Sequence, residues 1–123
     1  MGLVLRAGAD IAPAPGDQFL IVDSDLRVAS ISVATADRFG LDPDAIVGVP
    51  VVDLVEPADG SGPRALSETL IRVASGGDVE RLVLRQPGEF GSRLRARAGR
   101  CERPLASIIV FAGRRPSATL RAC

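Results

Sequence analysis

Three close carboxylate pairs, Asp23/Asp25, Asp42/Asp44 and Glu56/Asp59, have the spacing that acid–base work could use. The first two read as turns, where aspartate is expected for its side-chain bonds to backbone N–H groups. Asp59 reads as a cap or brace at the entry to a long helix. A base in a closed pocket would also want a phenolic donor, and the chain has no tyrosine. Arg93, Arg95 and Arg97 alternate with Leu94, Ala96 and Ala98, so a strand puts all three guanidinium groups on one face. Such a row suits an anion or an acidic partner. No aromatic residue interleaves with it, which argues against stacking on nucleic acid. The plain alternative is a solvated face with glutamates on neighbouring strands. Gly60-Ser61-Gly62-Pro63 precedes a helix, but without lysine or Walker spacing it is no phosphate cradle. Arg114-Arg115-Pro116-Ser117 resembles a basophilic kinase site, a cheap match in an arginine-rich tail.

Absent residue types narrow the chemistry further. The 123-residue chain has no histidine, lysine, asparagine or tryptophan, and all fifteen of its cations are arginine. Without histidine there is no His-dependent triad, no imidazole metal ligand and no proximal haem ligand. Cys101 and Cys123 alone cannot build a metal centre or a disulfide framework, so no metal and a cytoplasmic setting are expected. The longest apolar stretch, Leu105 to Ala112, is too short to span a membrane. Arg6 removes the myristoylation reading of Met1-Gly2, and no signal peptide is expected. With 46% hydrophobic residues and a mean hydropathy of +0.23, the chain is apolar enough to fold. At this length it can bury roughly two thirds of its unfolded surface. Its zero net charge is a cancellation. Residues 1–78 hold five arginines against twelve acids, and residues 79–115 hold nine arginines against three.

The elements that must position these residues change period midway. Residues 1–16 read as an extended leader. Phe19–Val22 and Val28–Val33 flank an Asp/Ser cluster and predict a hairpin. Short helical pieces follow: Ala34–Phe39 closed by Gly40, a turn capped by Asp42-Pro43 and stopped at Gly48, and a further turn at Val51–Val55. The longest helix is expected over Pro63–Ser75, with Leu66, Leu70, Val73 and Ala74 on one face. Val79–Arg85, Phe90–Ala98 and Leu105–Ala112 then read as three strands. The predicted order is β-β-α-α-α-α-β-β-β. It implies an α+β fold, a five-stranded antiparallel sheet with short helices packed on one face.

Within this order, Ser32 to Gly40, Pro43 to Gly48 and Leu54-Val55-Glu56-Pro57-Ala58-Asp59 together resemble the front half of a PAS domain. The resemblance covers residues 17–113, with 1–16 as a leader and 114–123 as a tail or the start of a linker. Ser32, Gly40, Gly48 and Asp59 fall on motif positions. Ser32 stands where the family often has Asn, Glu56 where it often has His, and Leu26 where a hairpin glycine is frequent. The last strand ends Phe111-Ala112-Gly113-Arg114-Arg115 and lacks the Asp-Ile-Thr that many members use to couple to an output helix.

The resemblance implies a non-catalytic sensory or interaction module of a bacterial signalling protein. Such a module binds a small apolar or mixed ligand or a partner protein, and shifts its helical segment in response. Implied partners are a second copy in a homodimer or an effector domain, with neither nucleic acid nor membrane. Haem held by histidine is excluded. The predicted places of Cys101 and Cys123, off the helices, argue against thiolate haem and cysteinyl-flavin photochemistry. The lack of Trp, Tyr and Asn argues against noncovalent flavin, so no cofactor is expected. Candidate pocket residues are Phe39, Val55, Leu66, Leu70, Val73 and Leu94, for which plain core is the favoured reading. The rivals are an anion or partner platform on Arg93, Arg95 and Arg97, and a cone-shaped α+β isomerase using a buried aspartate.

Overall fold

The computed structural model describes residues 16–89, 91, 93–101 and 106–112. The leader through residue 15 and the tail from residue 113, with Cys123, lie outside them. In the first hairpin, β1 (Gln18–Val22) pairs antiparallel with β2 (Val28–Ile31). Its turn is built on Asp23, whose Oδ1 accepts from the N–H groups of Asp25 and Arg27 at 2.9 and 3.1 Å. Leu26 takes the left-handed conformation there, φ 63°, although it is not a glycine. That costs about 1–2 kcal/mol, and its side chain packs against the core in return.

Ser32 joins the hairpin to the first helix, α1 (Val33–Phe39). Its Oγ accepts from Thr35 N–H at 3.2 Å as an N-cap and from Phe19 N–H on β1 at 3.0 Å. It also lies 2.7 Å from the Thr35 hydroxyl. One hydroxyl therefore starts the helix and ties it to the sheet. Gly40 ends α1 at φ 69°, and Leu41 N–H turns back to Ala36 O. Asp42 caps α2 (Pro43–Ile46), with Pro43 at the first position. Gly48, at φ 92°, then lets the chain return to β2, donating to Val28 O at 2.8 Å.

The sheet has six strands rather than the expected five, in the spatial order β2-β1-β6-β5-β4-β3. Residues 51–55, expected to form a further helical turn before Pro57, form a 3₁₀ turn at Val51–Asp53, followed by the two-residue strand β3 (Glu56–Pro57). The element order is therefore β-β-α-α-3₁₀-β-α-β-β-β. A strand of two residues carries no period-two signal, and proline is tolerated there because β3 is an edge. Tertiary partners supply what local pattern does not: Glu56 is opposite Arg85, their side chains pair at 2.6 Å, and Ala58 N–H donates to Val83 O.

The long helix α3 (Pro63–Ala74) buries Leu66, Thr69, Leu70 and Val73, the i, i+3, i+4, i+7 face of a helix, while Ala74, expected on that face, is half-buried. The final meander is β4 (Glu80–Arg85), β5 (Leu94–Arg100) and β6 (Ser107–Phe111). β5 starts at Leu94, so Arg93 stands just outside the strand on which it was expected. Leu20, Val22, Leu84, Leu94, Ile109 and Phe111 form the sheet's half of the main core, against Phe39, Ile46, Val51 and the buried face of α3. A second cluster on the other face joins Ile108, Val110, Ala106 and Cys101 to Phe19 and Ile21, and holds no residue of a described helix.

Candidate functional site

The six predicted pocket residues come together in one place: Phe39, Val55, Leu66, Leu70, Val73 and Leu94 all belong to the main core and are buried. Phe39 meets Phe111 edge to face, with ring centroids 5.6 Å apart, so these side chains pack on one another. Of the six, Leu70 lines one crevice at an end of the core and Leu66 lines another.

One crevice, about 290 Å³, separates the first hairpin turn from the C-terminal end of α3. Leu26, Leu70, Ile71 and Ala74 form its apolar walls, and Asp23, Ser24, Ser75 and Ser107 supply polar groups. Ser107 lies on the helix-facing side of β6, is 2% exposed and finds no hydrogen-bond partner for its hydroxyl among the described residues. A buried hydroxyl left this way costs about 1–3 kcal/mol. Little in the residue pattern signals it: a single serine heading the run Ser107-Ile108-Ile109-Val110 looks like any strand start. A second crevice, about 270 Å³, lies where Leu66 and Thr69 of α3 meet the edge of β4.

Main-chain bonds link the hairpin turn to the helical segment. Leu26 O accepts from Val51 N–H at 2.9 Å, Val28 N–H donates to Val49 O, and the Arg27 guanidinium donates to Gly48 O at 2.8 Å. A side chain that lines the crevice is thus one residue-length from the 3₁₀ turn.

On the opposite face of the sheet, Arg95 and Arg97 are exposed while Leu94, Ala96 and Ala98 are buried, as the alternation predicts. The expected glutamate neighbours are not there. Arg97 is directly opposite Arg81 on β4, and Arg95 is opposite Val83, which is 43% exposed. These side chains border a shallow groove of about 440 Å³ that Ala112 helps to line. Arg81 was readable as a partner, because it shares the strand parity of Val83 and Arg85.

None of the carboxylate pairs forms a reactive site. Every described aspartate is exposed or half-buried, so the isomerase reading has no buried base among these residues. Asp59 braces rather than caps: its Oδ1 accepts from Ser61 N–H at 2.8 Å, while Gly62 occupies the N-cap position of α3. The Ser61 hydroxyl and then its N–H hold the Asp59 carboxyl below its ordinary value. Glu80 is likewise lowered, by its bonds to Arg72 at 2.6 and 2.9 Å. Among the described residues no cluster of three or more His, Cys, Asp or Glu could hold a metal, and no helix is long and apolar enough to cross a membrane.

The sequence model described as the PAS fold matches residues 16–105. The chain belongs to the PAS family. Among solved structures, this PAS domain is similar to the photoactive yellow protein domain of the sensor histidine kinase Ppr from Rhodospirillum centenum. The TM-score is 0.60 at 16% identity, over 81% of this chain and 87% of that one. It is also similar to a domain of an HTR-like protein from Haloarcula marismortui (TM-score 0.53, 18% identity, covering 78% and 95%). A PAS domain of an HTR-like protein from the same organism gives 0.51 at 10% identity, covering 79% and 85%. At these identities the likeness is one of fold. No curated protein matches the PAS domain.

Proposed function

We propose that this PAS domain is a non-catalytic sensory module of a signalling protein. A small ligand with both apolar and hydrogen-bonding character occupies the crevice between the hairpin turn and α3. Its arrival shifts the α2–3₁₀ segment relative to the sheet. The observation that carries this reading is Ser107: a buried hydroxyl, without a partner among the described residues, at the floor of a 290 Å³ crevice with apolar walls. That volume sits at the lower end of ordinary ligand sites, about 300–1,000 Å³. The bonds from Leu26, Arg27 and Val28 to Val51, Gly48 and Val49 give the shift a route. Short helices punctuated by Gly40 and Gly48 favour low local opening free energies.

Native mass spectrometry of the purified protein, followed by denaturing extraction, tests the reading. The expected result is a retained small molecule that is lost in Ser107→Val while the fold survives. A protein that carries nothing, or a ligand held equally by Ser107→Val, overturns it.

A further inference from the structure

The outer groove carries a charge arrangement that the fold does not need. Like charges directly opposite one another in a sheet are destabilising, yet Arg81 and Arg97 form such a pair and Arg95 projects two residues away on the same face. Neither of the two described ion pairs, Arg72–Glu80 and Arg85–Glu56, involves these three arginines, and among the described residues none of the three has another polar partner. Glu56, on the same face at the sheet edge, is already engaged by Arg85. We infer that this groove docks an extended acidic segment of a partner protein, with carboxylates at every second residue.

The period supports a strand-like occupant. Arg95 and Arg97 are two residues apart on one strand, roughly 6.5 Å, which is also the spacing of alternate side chains on any extended chain. Carboxylates at i and i+2 therefore meet successive guanidinium groups, and Arg81 closes the opposite side. Val83 and Ala112 give the floor an apolar character that a lone inorganic anion would not use. Other occupants fit less well. A second copy related by a twofold axis through the groove sets arginine against arginine. The chain's own tail brings Arg114, Arg115 and Arg121 with no acid, and its first fifteen residues bring one arginine against one acid. Among the described residues no aromatic side chain lines the groove, so nucleobases have nothing to stack on.

Fluorescence anisotropy with a labelled peptide of about twelve residues, alternating glutamate and serine, reads the site directly. The double reversal Arg81→Glu/Arg97→Glu should weaken binding about tenfold or more, and Arg64→Glu, away from the groove, should change it less than about twofold. A peptide of the same composition with its glutamates in one block should bind more weakly than the alternating one. The single reversal Arg81→Glu supplies a readout that a structural role cannot mimic: it replaces a like pair with an opposite one, so it should raise the unfolding midpoint while weakening the peptide. Equal binding by the block and alternating peptides, equal loss in Arg64→Glu, tighter binding of a single-stranded oligonucleotide, or a lowered midpoint in Arg81→Glu each overturns the inference. Docking here does not depend on the crevice: a ligand retained in the double-reversal protein separates the two sites.

Discussion

Replacing Ser32 by alanine should cost this domain more than an ordinary helix cap. The hydroxyl accepts from Thr35 N–H and Phe19 N–H and pairs with the Thr35 hydroxyl, and Thr35 is fully buried. The lost cap is worth about 1 kcal/mol. The Phe19 N–H and the Thr35 hydroxyl are left without a partner in a part-buried seam, at about 1–3 kcal/mol for a fully buried group and less here. A total loss of about 2–4 kcal/mol follows, a large share of the roughly 5–15 kcal/mol that holds a domain together. For a domain near this size the unfolding midpoint should fall by about 10–20 °C. Urea and thermal denaturation of Ser32→Ala, Thr35→Val and the double variant measure it. The two changes should be strongly non-additive, because they remove the same network, with a coupling above about 0.5 kcal/mol. A Ser32→Ala loss below about 0.5 kcal/mol, or simple additivity, would refute the claim that Ser32 fastens α1 to the sheet.

Gly40→Ala should destabilise by about 1–2 kcal/mol in urea unfolding. A Cβ there meets nothing within 4 Å, so the cost is the left-handed backbone at φ 69° and not a clash; Gly40→Asn should recover part of it. Asp59 and Glu80 have folded-state carboxyls held below their ordinary values, by Ser61 and by Arg72 respectively. Their contribution is therefore fully present above the unfolded carboxylate range, near pH 4, and is lost as pH falls through the lower folded values. Unfolding followed from pH 6 to pH 2 should be less acid-sensitive in Asp59→Asn/Glu80→Gln than in the parent; an unchanged acid limb would contradict the assignment.

What the sequence disclosed depended on how each feature writes itself into local pattern. Gly40 and the Asp42-Pro43 pair announced the ends of α1 and α2, because backbone geometry at a helix terminus restricts residue type. The face of α3 was readable from period alone, as was the alternation through Arg95 and Arg97. β3 was not readable, since two residues carry no period and their pairing depends on Arg85, some thirty positions away. Leu26 hid its left-handed turn for the opposite reason: its residue type argues against the conformation that Asp23 and the contact with Val51 impose. The six candidate pocket residues lie in the core, and open space is found beside Ser107 and Ser75. Open space of this kind is a difference between packed elements, and no single segment encodes it.

Hydrogen exchange in Ser75→Trp, which fills the crevice from the exposed end of α3, tests the sensory account most directly. If an occupied crevice acts through the hairpin turn, the amides of Val51 and Gly48, bonded to Leu26 O and Val28 O, should exchange several-fold more slowly than in the parent. The amides shared by β5 and β6 should not change. Exchange differences confined to the last turn of α3 and to Asp23–Leu26, with Val51 and Gly48 unaltered, would contradict it.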